Sequence, residues 1–121
     1  MEEDKLIEYY LGLLGQIKLY HWTVMKYSKH VALDNLHSNL SNNIDKFVEC
    51  YIGKYNKQPL PIFTINTTAT SYTANIIGYL ETQRENLKKI RNQLAKSTDL
   101  QNIIDEMTGN INQAVYLIKL E

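Results

Sequence analysis

Two pairs of metal-type ligands place the first constraint on this chain. His30 and Asp34 stand four residues apart, and so do Asp45 and Glu49. Side chains four apart lie one above the other on a helix, so each pair reads as two donors on one helical face. His30 and Asp45 are 15 residues apart, which is about 22 Å on one unbroken helix. Metal–ligand bonds are only about 2.0–2.2 Å long. One straight helix therefore cannot bring both pairs to one ion. If they serve a single site, two copies of the chain must meet, the first pair of one against the second pair of the other. His21 is a fifth candidate, carried on the segment before.

Hydrophobic periodicity supplies the frame that would hold these residues. A first helix is expected over about Glu2–Tyr27, with Tyr10, Leu14, Ile17, His21 and Val24 on its inward face. Gly12 and Gly15 weaken it but allow a neighbour to come close. Ser28 is the expected N-cap of a second helix over Lys29–Gly53, with Gly53 as its stop. Leu33, Leu36, Leu40, Ile44, Phe47 and Tyr51 form its apolar stripe, and His30, Asp34, Ser41, Asp45 and Glu49 form a second stripe beside it. Pro59 and Pro61 forbid a helix through 55–69, which reads as an ordered crossover with Leu60, Ile62 and Phe63 packing down. A third helix is expected over Ser71–Ala95, carrying Ile76, Leu80, Leu87, Ile90 and Leu94. Thr98 and Gln101 read as a capping box opening a fourth over Asp99–Leu120, with Leu100, Ile104, Met107, Ile111, Ala114 and Ile118 inward. The expectation is one all-α domain, 1–121: a ferritin-like four-helix bundle with a crossover between helices two and three.

Composition removes several classes of function. No apolar run approaches about 18 residues, so no transmembrane helix is expected. The acidic start lacks the basic and apolar regions of a signal peptide. Cys50 is the single cysteine, which excludes an internal disulfide and suits a reducing, cytoplasmic setting. Lys and Arg number 13 and Asp and Glu 13, with no basic arm, so nucleic acid is not an expected partner.

Tyr20-His21-Trp22, His30-x3-Asp34 and Asp45-x3-Glu49 together resemble the ferroxidase segment of the Dps-like miniferritins. Gly53-Lys54 with Gln58-Pro59-Leu60 is similar to the turn after that family's second helix, and Gln113-Ala114-Val115-Tyr116-Leu117 to its last helix. A fainter likeness is to Dps-like proteins of large DNA viruses, which would place the chain in the host cytoplasm or the virion. The resemblance implies a dodecameric shell built from two-fold dimers. It implies Fe(II) oxidation by peroxide or oxygen at sites between subunits, with ferric iron stored inside. His21, His30 and Asp34 would come from one subunit and Asp45 and Glu49 from its partner. Zinc or manganese would suit the same ligands. The chain departs from the family in a His21–His30 interval three residues shorter than usual, in the missing Gly-Pro turn, and in Cys50 where an arginine often stands.

Each residue also has an ordinary explanation. His21 could be a hydrogen-bonded core histidine. Asp45 and Glu49 could be solvated acids paired with Lys46 or Lys54. Trp22 could be core or a shield for the site, Cys50 reads as a small buried residue, and nothing gives His37 a role beyond the surface. A ferritin-like bundle without catalysis, serving virion assembly, is the alternative to the ferroxidase.

Overall fold

The computed structural model describes residues 3–57, 64, 65, 67 and 75–120. They form α1 (Glu3–Thr23), α2 (Tyr27–Tyr55), α3 (Ile76–Gln93) and α4 (Thr98–Lys119), with no strand among the described residues. The expected stripes of α2 and α4 are buried throughout. These two helices pack against each other, with α1 against α2 and α3 against α4. On α1 the buried face is Leu6, Tyr10, Leu13, Ile17, Tyr20 and His21, while Leu14 and Val24 are only half-buried. On α3 Gln83 stands in the buried stripe with Ile76, Leu80 and Leu87, and its Oε1 accepts from the Tyr9 hydroxyl at 2.8 Å.

Side-chain pairs fix the helix directions. Lys54 at the end of α2 meets Asp99 at the start of α4 at 2.8 Å, so these helices are antiparallel. Arg91 holds Asp105 at 2.7 Å and Arg84 reaches Asn112 at 2.8 Å, so α3 is antiparallel to α4 as well. Helices α2 and α3 therefore run the same way, and the chain between them joins opposite ends of the bundle. Of that connection only Thr64, Ile65 and Thr67 are among the described residues; Leu60, Ile62 and Phe63, with the packing expected of them, and Pro59 and Pro61 lie outside.

Several helix ends differ from expectation. The second helix begins two residues earlier: Lys26 is its N-cap, with no side-chain cap bond, and Ser28 lies inside it. Gly53 does not stop it. The helix runs on to Tyr55, and Asn56 ends it in the left-handed conformation at φ 53°, which asparagine tolerates. Thr98 is the first residue of α4 rather than its cap. Ser97 takes the cap position, but its hydroxyl is engaged by Tyr55, and Gln101 reaches back to the Arg91 carbonyl at 3.1 Å. The capping box is thus not formed, because both of its candidates or their neighbours have tertiary partners. Asn75 caps α3, accepting from the Gly78 amide at 2.9 Å, and residues 71–74 lie outside the described ones. Gly15 does allow a close approach: a Cβ there would stand 3.2 Å from Thr67, whereas one at Gly12 would meet nothing within 4 Å.

Candidate metal centre

The short turn between α1 and α2 folds His21 and His30 face to face. Their ring centroids are 3.8 Å apart, with the planes inclined by 23°. His21 Nδ1 lies 2.8 Å from the His30 carbonyl oxygen, and His30 Nδ1 lies 2.8 Å from the His21 carbonyl oxygen. A carbonyl only accepts, so each Nδ1 must carry the hydrogen. In the neutral ring the lone pair is then on Nε2, the arrangement in which a backbone carbonyl orients an imidazole for a metal. The nine-residue interval is what allows this mutual clasp.

Asp34, one turn along α2 from His30, is the third residue of the first candidate half-site. Its Oδ1 is 3.8 Å from His21 Nε2. That is too long for a hydrogen bond. It suits two donors bonded to one ion, since bonds of about 2.0–2.2 Å span up to roughly 4 Å between donors. The His21 side chain is only 10% exposed and that of Asp34 53%, so the half-site opens outward from a buried imidazole. Lys18 Nζ stands 4.0 Å from the same oxygen and supplies the local positive charge.

Asp45 and Glu49 are the candidate second half. Both are exposed, and neither has a hydrogen bond or ion pair among the described residues. The pairing with Lys54 considered from sequence is not found, because Lys54 is bonded to Asp99. Since α2 is unbroken from Tyr27 to Tyr55, the separation of about 22 Å applies. Within one chain the structure thus brings His21 against His30 and within 3.8 Å of Asp34, and leaves Asp45 and Glu49 about four turns from His30 along α2. Among the described residues of one chain, no group of three or more His, Cys, Asp or Glu is placed to hold a metal ion.

His37, read from the sequence as a surface residue, is half-buried. Burial and the Lys18 ammonium push its imidazole below the ordinary histidine value, with Asp34 opposing and His21 adding to the depression. Its spacing, three beyond Asp34 and seven beyond His30, was the available signal. Trp22 is not core. It is 69% exposed, beside Met25 at 73% and Tyr27 at 80%. Leu11, Leu14, Lys18 and Trp22 recur at intervals of three and four and so share one side of α1. Lys18 marks that side as the one next to the ligand stripe of α2. Cys50 is half-buried against the core. A cleft of about 440 Å³ between α1 and α3, bordered by Tyr9, Gly12, Tyr79 and Gln83, contains none of these candidate ligands.

No helix among the described residues is long and apolar enough to cross a membrane. No solved structure matches the chain. Among curated proteins it is 31% identical over 116 residues to an uncharacterized 14.6 kDa protein in the mobD-ri intergenic region of Enterobacteria phage T4. The match covers 93% of this chain and 87% of the phage protein, and the phage source agrees with the viral likeness seen in the sequence. A family model matches residues 21–118, a span that holds both histidines of the clasp and the three candidate carboxylates of α2. The chain belongs to that family, a family of unknown function (DUF5856).

Proposed function

We propose that this protein is a miniferritin-like ferroxidase, in which two copies share each metal site across a two-fold axis. Fe(II) is the substrate, peroxide or oxygen takes its electrons, and ferric iron is retained in a closed shell, limiting oxidative damage. On this reading the bundle is ferritin-like, the chain between α2 and α3 is its crossover, and the assembly is a dodecamer of two-fold dimers.

The observation that carries the reading is the division of the ligands along one unbroken helix. His21, His30 and Asp34 cluster at one end of the stripe, and Asp45 and Glu49 lie unpaired about 22 Å further on. Two antiparallel copies place each half opposite the other's complement, as an isologous contact requires. Imidazole and carboxylate together suit ferrous iron, zinc or manganese, and carboxylates accommodate both oxidation states of iron. The role of these residues is to hold iron, offer an open position to the oxidant and pass the product inward.

Addition of Fe(II) with peroxide or air should give ferric absorbance faster than buffer alone, with iron retained on the protein. Asp45→Ala and Glu49→Ala should each slow this strongly. Unchanged kinetics in Glu49→Ala would remove the site assignment. A bundle that assembles without oxidising iron, as in a virion, is favoured by the lack of a three-donor group within one described chain. Iron content after aerobic loading separates the two, because that bundle would retain none.

A further inference from the structure

We infer that the cleft between α1 and α3 binds a nucleoside monophosphate whose base carries a carbonyl oxygen. The ferroxidase reading makes no use of this cleft, and the inference stands apart from it. The close helix packings are α2 against α4, α1 against α2 and α3 against α4. Between α1 and α3 the bundle stays open, leaving the hollow of about 440 Å³, a size suited to a small molecule. Gly12 borders this hollow, and a Cβ there would meet nothing within 4 Å. Glycine weakens a helix interior, and at Gly12 no close packing requires it. What the missing side chain leaves is room in the cleft.

The wall of the cleft is built around one oriented amide. Gln83 is only 7% exposed. Its Oε1 accepts from the Tyr9 hydroxyl at 2.8 Å and from Asn86 Nδ2 at 3.2 Å. Burial, with Tyr79 beside it, holds the Tyr9 phenol well above its ordinary pKa, so that hydroxyl keeps its proton and donates. With Oε1 engaged twice, Gln83 has its Nε2 hydrogens left to offer. They have no partner among the described residues. A buried donor of this kind calls for an acceptor such as a base carbonyl oxygen. Leu13 and Tyr79 continue the wall without charge, so the part of a ligand that enters is neutral.

Charge stands at one end. Lys5 lies seven residues before Gly12 on α1, and Lys89 six residues after Gln83 on α3, about 10 Å and about 9 Å along their helices. Both border an adjoining hollow that shares Tyr9 and Asn86 with the cleft. Neither ammonium has an ion-pair partner among the described residues. Two lysines suit a phosphate group. Glu8, also bordering the cleft near Lys5, suits ribose hydroxyls, which donate to a carboxylate. A neutral head, a hydroxylated middle and an anionic tail are the parts of a nucleoside monophosphate in their order.

The test is titration of isotope-labelled protein followed by amide NMR. The probes are UMP, CMP and GMP, whose bases carry a carbonyl oxygen. AMP, whose base has none, the matching nucleoside and inorganic phosphate are the comparisons. At least one of the three probes should bind with a Kd of about 1 mM or below and shift the Gln83 side-chain amide. AMP and the nucleoside should each bind at least about tenfold more weakly. Phosphate alone should leave the Gln83 amide unmoved. Gly12→Leu fills the cleft while favouring the helix, so it should abolish binding without lowering Tm. Lys5→Gln plus Lys89→Gln should bring the nucleotide down to the affinity of the nucleoside. Absence of saturable binding by all three probes overturns the inference, as does equal binding of AMP or binding retained in Gly12→Leu. Phosphate that binds as well as the nucleotide reduces the site to a surface anion contact and overturns it too.

Discussion

If each site takes ligands from two chains, two inactive proteins should restore each other. One carries Asp34→Ala, and the other Asp45→Ala plus Glu49→Ala. All three side chains are exposed, and none takes part in the His21–His30 clasp. Surface changes of this kind alter stability by only about 0.5 kcal/mol, so lost activity in the parents cannot be attributed to unfolding. Each homodimer has one damaged half in both its sites. In a mixed dimer one site receives both damaged halves and the other both intact halves. Equal amounts assorting at random make about half of the dimers mixed, and each regains one site of two, so activity should return to roughly a quarter of wild type. The assay is ferric absorbance after the two proteins are dissociated and reassembled together, with wild type carried through the same treatment. If wild type recovers and the mixture stays as inactive as its parents, the ligands do not come from two chains. If either parent alone is fully active, the geometric argument from α2 fails.

Two further outcomes follow from the core and from the charge. The Tyr10 ring is fully buried against Phe47, but its hydroxyl has no hydrogen-bond partner among the described residues. An unsatisfied buried group costs about 1–3 kcal/mol, so Tyr10→Phe should stabilise by about 1 kcal/mol and raise Tm by roughly 4 °C; a lowered denaturation midpoint would contradict this. With Lys and Arg matched by Asp and Glu at 13 each and no basic arm, duplex DNA should show no gel shift at about 0.15 M salt. A robust shift would require a basic surface created by assembly.

Burial was the legible part of the sequence. The stripes of α2 and α4 emerged residue by residue, because a helix between two neighbours must repeat apolar side chains at its own period. The caps were not legible, because capping side chains compete with tertiary partners, although the bounds of α4 fell within one residue of those expected. Ser97 is drawn to Tyr55 and Gln101 to Arg91, and neither long-range contact is written in the local sequence. Trp22 misleads for a related reason: residue type suggests burial, yet among the described residues no helix covers it and it is exposed. In the candidate site, the four-residue spacings and the ruler from His30 to Asp45 were readable once the helix was assumed. The reciprocal bonds of His21 and His30 were not. They depend on the exact fold of a turn shorter than the one the family resemblance suggested. His37 shared the stripe all along, but only the positions of Lys18 and Asp34 reveal its surroundings.

The histidine clasp also sets a phase. Loops on protein surfaces commonly accept an added or lost residue, but a helix turns by about 100° at each residue. Here the two imidazoles, each bonded to the other's backbone, fix where α2 starts its rotation. One residue more or fewer between them would leave either the clasp broken or the whole of α2 turned by that step. In the second case Asp34, Asp45 and Glu49 would swing together away from α1 while Leu33, Leu40 and Phe47 left the core. The turn between the first two helices is therefore the key that times everything after it, and its length is as constrained as any buried side chain.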